Sequence, residues 1–129
     1  MSNAPDNECG VEISTRTKYL ELQSEPAKNS YAFSYTITIL NQRDEAVRLL
    51  NRHWIITDKN NKVEEVNGKG VVGQQPVIQP GESFEYSSGT IIGSEIGDMR
   101  GSYTMESVSG VQFEAPVPLF VLAIPNMIH

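Results

Sequence analysis

The chain has 129 residues, a formal net charge of −6, one cysteine and two histidines, and that length predicts a single domain. A chain of this size buries roughly two-thirds of its unfolded surface, so its core needs no metal or disulfide staple. The lone Cys9 excludes an internal disulfide framework and fits a reducing compartment. The acidic balance disfavours nucleic acid and anionic lipid as partners.

Residues 1–10 have neither a basic start nor an apolar run, so they read as a flexible tail, not as a signal peptide. No stretch reaches the roughly 20 apolar residues that cross a bilayer as a helix, so membrane insertion is not expected and a cytoplasmic protein is. From Val11 onward the dominant period is two. Val11–Thr15 alternates weakly. Tyr31, Phe33, Tyr35, Ile37 and Ile39 alternate with small or polar residues, the pattern of a strand with one face on a core. Asn41–Glu45 reads as a hairpin loop, as does Asp58–Asn61. Weaker alternation follows in Ala46–Leu50, His53–Thr57, Lys62–Val66, Ser83–Tyr86 and Ser102–Met105. Gln79-Pro-Gly-Glu82 carries the Pro and Gly of a type II turn. Ser107–Gly110 ends another strand, and Val111 to Ala123 keeps every odd position apolar. Pro116 and Pro118 lack backbone donors, which places that last strand at an edge or breaks it.

Short strands at about 8–12-residue spacing, with turn chemistry between them, predict an all-β protein. Asp98–Met105 separates a sandwich from a barrel. It matches the start of the sixth strand in immunoglobulin-like sandwiches, where a tyrosine two residues before a core position ties down a corner through its hydroxyl. Tyr103 takes that place here, Met105 fills the core position, and Trp54 is the large core anchor. Residues 11–129 are therefore expected to form one fibronectin type III or immunoglobulin-like β-sandwich.

Gly68-Lys-Gly-Val-Val-Gly73 satisfies G-x-G-x-x-G. In a dinucleotide fold such glycines open a helix whose N-terminus faces pyrophosphate. Here Gln74-Gln-Pro76 and Pro80 follow, so no helix can start. The remaining readings are a turn that needs positive φ or a backbone nest holding an anion, with Lys69 adding a cation. Arg52-His53-Trp54 concentrates chemistry as well, but alternation puts His53 and Trp54 on opposite faces, and the other histidine is the terminal His129. Glu64, Glu65, Glu82, Glu85, Glu95 and Asp98 offer oxygen ligands for a hard cation. Without a calcium-loop pattern, they read as solvated surface. No nucleophile elbow or activating base at recognisable spacing accompanies the serines or Cys9. No catalytic residues, cofactor or metal ligands are assigned.

Four segments occur in order: Arg52–Asp58, Glu65–Pro76, Pro80–Gly89 and Met99–Met105, with Pro118–Pro125 closing the chain. Together they resemble the bacterial ApaG family over about Val11 to Pro125. Two departures are Thr90, where many relatives have cysteine, and Ser94–Gly97, which is not distinctive. The resemblance implies a fibronectin type III-like sandwich and an association with cobalt and magnesium homeostasis. A chain without a membrane span cannot itself be the efflux pore, so that association would be indirect. The family's gene neighbourhood, shared with diadenosine tetraphosphate hydrolysis, brings a nucleotide or pyrophosphate ligand into view. Related domains in F-box and polymerase-interacting proteins imply a protein-interaction module.

The resulting expectation is a non-enzymatic binding domain that engages a protein partner through a sandwich face or edge. Gly68, Lys69, Gly70 and Gly73, with Arg52 and Arg100, form the expected contact for a small anion or nucleotide. The alternatives are a pyrophosphate or nucleotide ligand as the main function, and direct binding of a divalent cation by carboxylates. An exposed edge strand leaves both a monomer and a homodimer open.

Overall fold

The computed structural model describes residues 9–126. Eight strands carry the fold: β1 Val11–Tyr19, β2 Tyr31–Asn41, β3 Val47–Asp58, β4 Val63–Lys69, β5 Val77–Ile78, β6 Ser83–Ile92, β7 Ile96–Ser107 and β8 Gln112–Ala123. Two short 3₁₀ turns, Glu21–Gln23 and Pro26–Lys28, join β1 to β2. One sheet has the order β1-β2-β6 and the other β4-β3-β7-β8, with β5 pairing β3. All pairings are antiparallel. This is the partition of a fibronectin type III-like β-sandwich. The first eight residues of the expected tail, and His129, lie outside the described residues.

The expected alternation of β2 holds, since Phe33, Tyr35, Ile37 and Ile39 are all buried. Trp54 anchors the core as read. Tyr35, Tyr103 and Phe120 meet its ring tilted or edge-on at centroid distances of 5.6, 5.9 and 5.8 Å, the arrangement that aromatic quadrupoles favour. Pro76 and Gly81 frame the short β5, which is too brief to show a period.

Several expectations are corrected. Asn41–Glu45 is not a hairpin loop, because it carries the chain from one sheet to the other. Asn41 itself is buried and holds that crossing. Its Nδ2 donates to the Glu45 and Ile78 carbonyls, and its Oδ1 accepts from the Arg43 amide. The segments Ala46–Leu50 and His53–Thr57 are one strand, β3. A register shift between Leu49 and Asn51 switches the inward side from Val47 and Leu49 to Trp54 and Ile56, so the two halves alternate out of phase. A similar shift opposite Arg100 puts one extra residue into β8. Ala115 and Val117 point inward as expected, but beyond it Phe120 and Leu122 replace Leu119 and Val121, which are exposed. A β-bulge does this because each inserted residue inverts the side on which all later residues sit. β8 is an edge strand, as its prolines required.

Tyr103 does not tie down a corner. It is fully buried, and its hydroxyl meets that of Tyr86 on the opposite sheet at 2.5 Å. Cys9, read as part of the tail, is half-buried against the core, and its carbonyl accepts a bond from Arg43.

Candidate functional site

The two long sides of the sandwich differ. On one side β1 lies against β8, and the Thr17 hydroxyl reaches the Val121 carbonyl at 3.5 Å. On the other side β4 and β6 each pair with a single neighbour among the described residues, so both present a free edge there. Antiparallel alternation fixes which backbone groups face outward. Asn41 donates to the Glu82 carbonyl and Leu20 to the Ala32 carbonyl. Even-numbered residues of β6 are thereby bonded to β2, and Glu85, Ser87, Gly89 and Ile91 turn their N–H and C=O groups to the open side. The Gly70 bond to Leu50 similarly leaves Val63, Glu65, Asn67 and Lys69 facing outward on β4.

Between these edges the inward-facing side chains change character. Along β6 the inward series is Phe84, Tyr86, Ser88, Thr90 and Ile92. Along β4 it is Glu64, Val66 and Gly68, opposite Ile56, Trp54 and Arg52 of β3. A cavity of about 240 Å³ opens there, with Tyr35 and Trp54 beneath and Arg52, Glu64, Ser88 and Thr90 among its walls. Glu64 also lines the two cavities that continue the seam past Gly89–Gly93, of about 540 and 60 Å³. Among the described residues, the side chains of Glu64, Ser88 and Thr90 make no hydrogen bond or ion pair. The Trp54 Nε1 donor is buried without a partner. Leaving such a donor unmade costs about 1–3 kcal/mol.

Glu64 is exposed, as its surface reading expects, yet it stands on the inner side of its sheet, and Ser88 carries no motif of its own. The available signal was the run Phe84, Tyr86, Ser88, Thr90, Ile92, an apolar alternation with two hydroxyls in its middle. It becomes informative only once the facing strand is known.

The glycine motif folds as a turn. Gly68 pairs with Arg52 one residue before the β4 ladder ends, and a Cβ there would lie 2.6 Å from the Arg52 guanidinium carbon, so the glycine makes room for Arg52. Arg52 donates to the Lys69 and Gly70 carbonyls at 3.2 and 2.9 Å. Val71 and Gln74 exchange both backbone bonds around Val72 and Gly73. Those central residues have φ of 42° and 80°, as a type I′ turn requires. The amides of Gly70, Val71 and Gln74 are thus paired, and the loop turns carbonyls toward its arginine.

The three expected cations are not brought together either. Arg52 lies on the inner face of its sheet, whereas Lys69 and Arg100 project from the outer face. The reason is parity: Arg100 stands opposite Ile55, an odd position of β3, and Arg52 is even.

The carboxylates are likewise dispersed. Glu65 meets His53 on the outer face at 2.5 Å, and Glu85 accepts from Thr38 and pairs with Arg16. Glu95 pairs with Lys59, whose hydrogen bond holds its carboxyl below the usual range. Among the described residues, no three His, Cys, Asp or Glu side chains come together as a metal site. No described helix is long and apolar enough to cross a membrane. Beneath the seam, burial pushes the Tyr86 and Tyr103 hydroxyls well above the ordinary tyrosine range, and nearby Arg52 opposes that shift.

The family pattern described as the ApaG domain matches residues 21–107, the span from the first 3₁₀ turn to the end of β7. The chain belongs to the ApaG family. It is 48% identical to Protein ApaG of Azoarcus sp. (strain BH72) over 119 residues, covering 92% of this chain and 94% of that one. Protein ApaG of Ralstonia nicotianae is 51% identical over 117 residues, with 91% and 94% covered. Among solved structures, an X-ray structure from the Northeast Structural Genomics Consortium superposes with a TM-score of 0.90 at 45% identity, covering 95% of this chain and 93% of that one. The crystal structure of a Bordetella pertussis protein named ApaA gives 0.87 at 44% identity, with 90% and 94% covered. The matched span runs through β2 to β7 and includes both strands of the seam, whereas β1 and β8 lie outside it.

Proposed function

We propose that this ApaG domain is a non-enzymatic, cytoplasmic binding module that engages a protein partner at the open seam between β4 and β6. The observation that carries the reading is the buried, unpartnered Trp54 indole N–H beneath a cleft whose walls carry exposed Glu64 and half-buried Ser88 and Thr90, none of them hydrogen-bonded among the described residues. A buried donor such as the Trp54 N–H is normally satisfied, and binding sites supply a few polar groups over an apolar floor. An influence on cobalt or magnesium homeostasis would then pass through the partner. To test it, a photo-crosslinking amino acid is placed at Ser88 or, as a control, at exposed Lys18 in cells that express the protein. Specific adducts from Ser88 and none from Lys18 are expected; equal adducts from both positions would remove the seam as the site.

A pyrophosphate or nucleotide ligand is the second reading, supported by a cavity of about 370 Å³ lined by Lys69, Gly73, Gln74 and Gln75. Pyrophosphate titration followed at the amides of Lys69–Gln75 separates it from the first.

A further inference from the structure

We infer that the seam receives an extended segment of a partner protein, which adds as a strand to the free edge of β6 and directs a basic side chain to Glu64. This rests on the seam being the binding site and names what fills it.

The backbone argument comes first. β6 is a ten-residue strand paired to β2 without a register break. Its outward groups at Ser87, Gly89 and Ile91 have no hydrogen-bond partner among the described residues. Exposed edges are commonly blunted by proline, bulges, lysine or inward-pointing charge. From Tyr86 to Ile92 β6 has none of these. The opposing edge differs, because β4 is shorter, ends at Gly68 and Lys69, and carries Glu64 and Glu65. Strand addition therefore suits β6, with main-chain bonds giving affinity and alternate side chains giving specificity.

The side-chain argument concerns the larger cavity. It straddles this same edge, since Gly89, Thr90 and Ile91 line it together with Leu20, Phe33 and Glu64. Its volume of about 540 Å³ accommodates a side chain from an added strand. Exposed Glu64 is its only charged wall among the described residues; Lys62 shares the adjoining cavity with it, but no described cation lies within ion-pair distance of its carboxylate. Arg52 does not serve, as it is engaged by the turn carbonyls. A lysine or arginine on the incoming strand would complete the pair, with apolar neighbours resting on Leu20 and exposed Ile91. The overall charge of −6 favours the approach of a basic segment. A second copy of the chain would bring only Glu85 as a charged residue of its own β6, and would leave Glu64 unpaired.

The test uses the full chain and a displayed library of random ten-residue peptides. Enriched peptides are expected to share a lysine or arginine and to shift the amides of Ser87–Ile91 and Glu64 in nitrogen-15 spectra. Glu64→Gln should weaken them at least tenfold, and alternate backbone N-methylation of the peptide should abolish binding. Ser87→Pro should also block binding, because it removes an outward backbone donor and no backbone bond to β2; it also removes the Ser87–Thr36 hydroxyl bond, which Ser87→Ala controls for, and a retained melting transition shows that the variant folds. Peptides that shift the seam but ignore Glu64→Gln and N-methylation overturn the basic-strand inference and leave the seam as a site. Failure to enrich any peptide that shifts the seam overturns both. A β6-to-β6 dimer of the unliganded protein, seen by sedimentation and by protection of the Ser87–Ile91 amides, also overturns the inference in favour of a second copy.

Discussion

Replacing Tyr103 by phenylalanine removes one hydroxyl from a pair that bridges the two sheets in the core. Tyr103 is 0% and Tyr86 7% exposed, and their oxygens are 2.5 Å apart. The ring stays, so the contact with Trp54 is kept and no cavity opens. What changes is that the Tyr86 hydroxyl loses its partner away from water. A stranded buried hydroxyl costs about 1–3 kcal/mol, whereas removing both partners of a bond can be nearly neutral. Tyr103→Phe and Tyr86→Phe should therefore each destabilise by about 1–3 kcal/mol. The double variant should lose less than their sum, with a coupling of about 1–2 kcal/mol. For a domain of this length each kcal/mol moves the melting temperature by roughly 3–5 °C. Urea unfolding of the four proteins at neutral pH measures the cycle. Additive losses would refute the claim that the two hydroxyls satisfy each other. The same pair has a pH signature. Burial raises both hydroxyls above the ordinary tyrosine value of about 10, so the folded state keeps its protons longer than the unfolded one. Their contribution is fully present below pH ~10 and falls above it by about 1.4 kcal/mol per pH unit for each tyrosine. The double phenylalanine variant should lose that alkaline slope.

Other substitutions probe the frame around the seam. Gly101→Ala would set a Cβ 1.9 Å from the His53 carbonyl oxygen; overpacking costs about 1–3 kcal/mol or more, so the urea midpoint should drop sharply. Asn41→Ala removes three bonds at the sheet crossing and strands the Ile78 carbonyl, with an expected loss of about 2–3 kcal/mol by the same assay. Val72 is exposed and β-branched at φ 42°. Because a Cβ in this region costs about 1–2 kcal/mol and asparagine tolerates it, Val72→Asn should stabilise the fold by about 1 kcal/mol and raise the urea midpoint. Arg52→Gln should release the Lys69 and Gly70 carbonyls and speed amide exchange across Gly70–Gln74. Unchanged exchange would mean that the arginine does not hold the turn.

How far the site could be read from sequence differs residue by residue. Met105 was legible as core from the sandwich pattern and Trp54 from its size, whereas Tyr103 was legible as a structural tyrosine but not as the partner of Tyr86. Gly73 was legible as a turn residue, because the prolines after it forbid a helix. Glu64 was not legible. A glutamate next to another glutamate on a strand reads as surface, and Glu64 is exposed; what the sequence hides is that it stands on the inner side of its sheet, facing the open edge of β6. Arg52 was legible as functional chemistry but with the wrong partners, since a guanidinium and a glycine loop attract an anion reading until the carbonyls are seen to face it.

By itself the sequence determined the strand-rich class, the sandwich and the family, because a period of two and turn residues are local properties that each segment carries alone. Tertiary structure decided the rest. Bulges at Leu50 and opposite Arg100 reversed which residues face the core beyond them, a change that depends on the neighbouring strand's register. The separation of Arg52 from Lys69 and Arg100 follows from the same parity. The seam itself exists because β1 closes on β8 while β4 and β6 stay apart, and no stretch of sequence read alone records which edges meet.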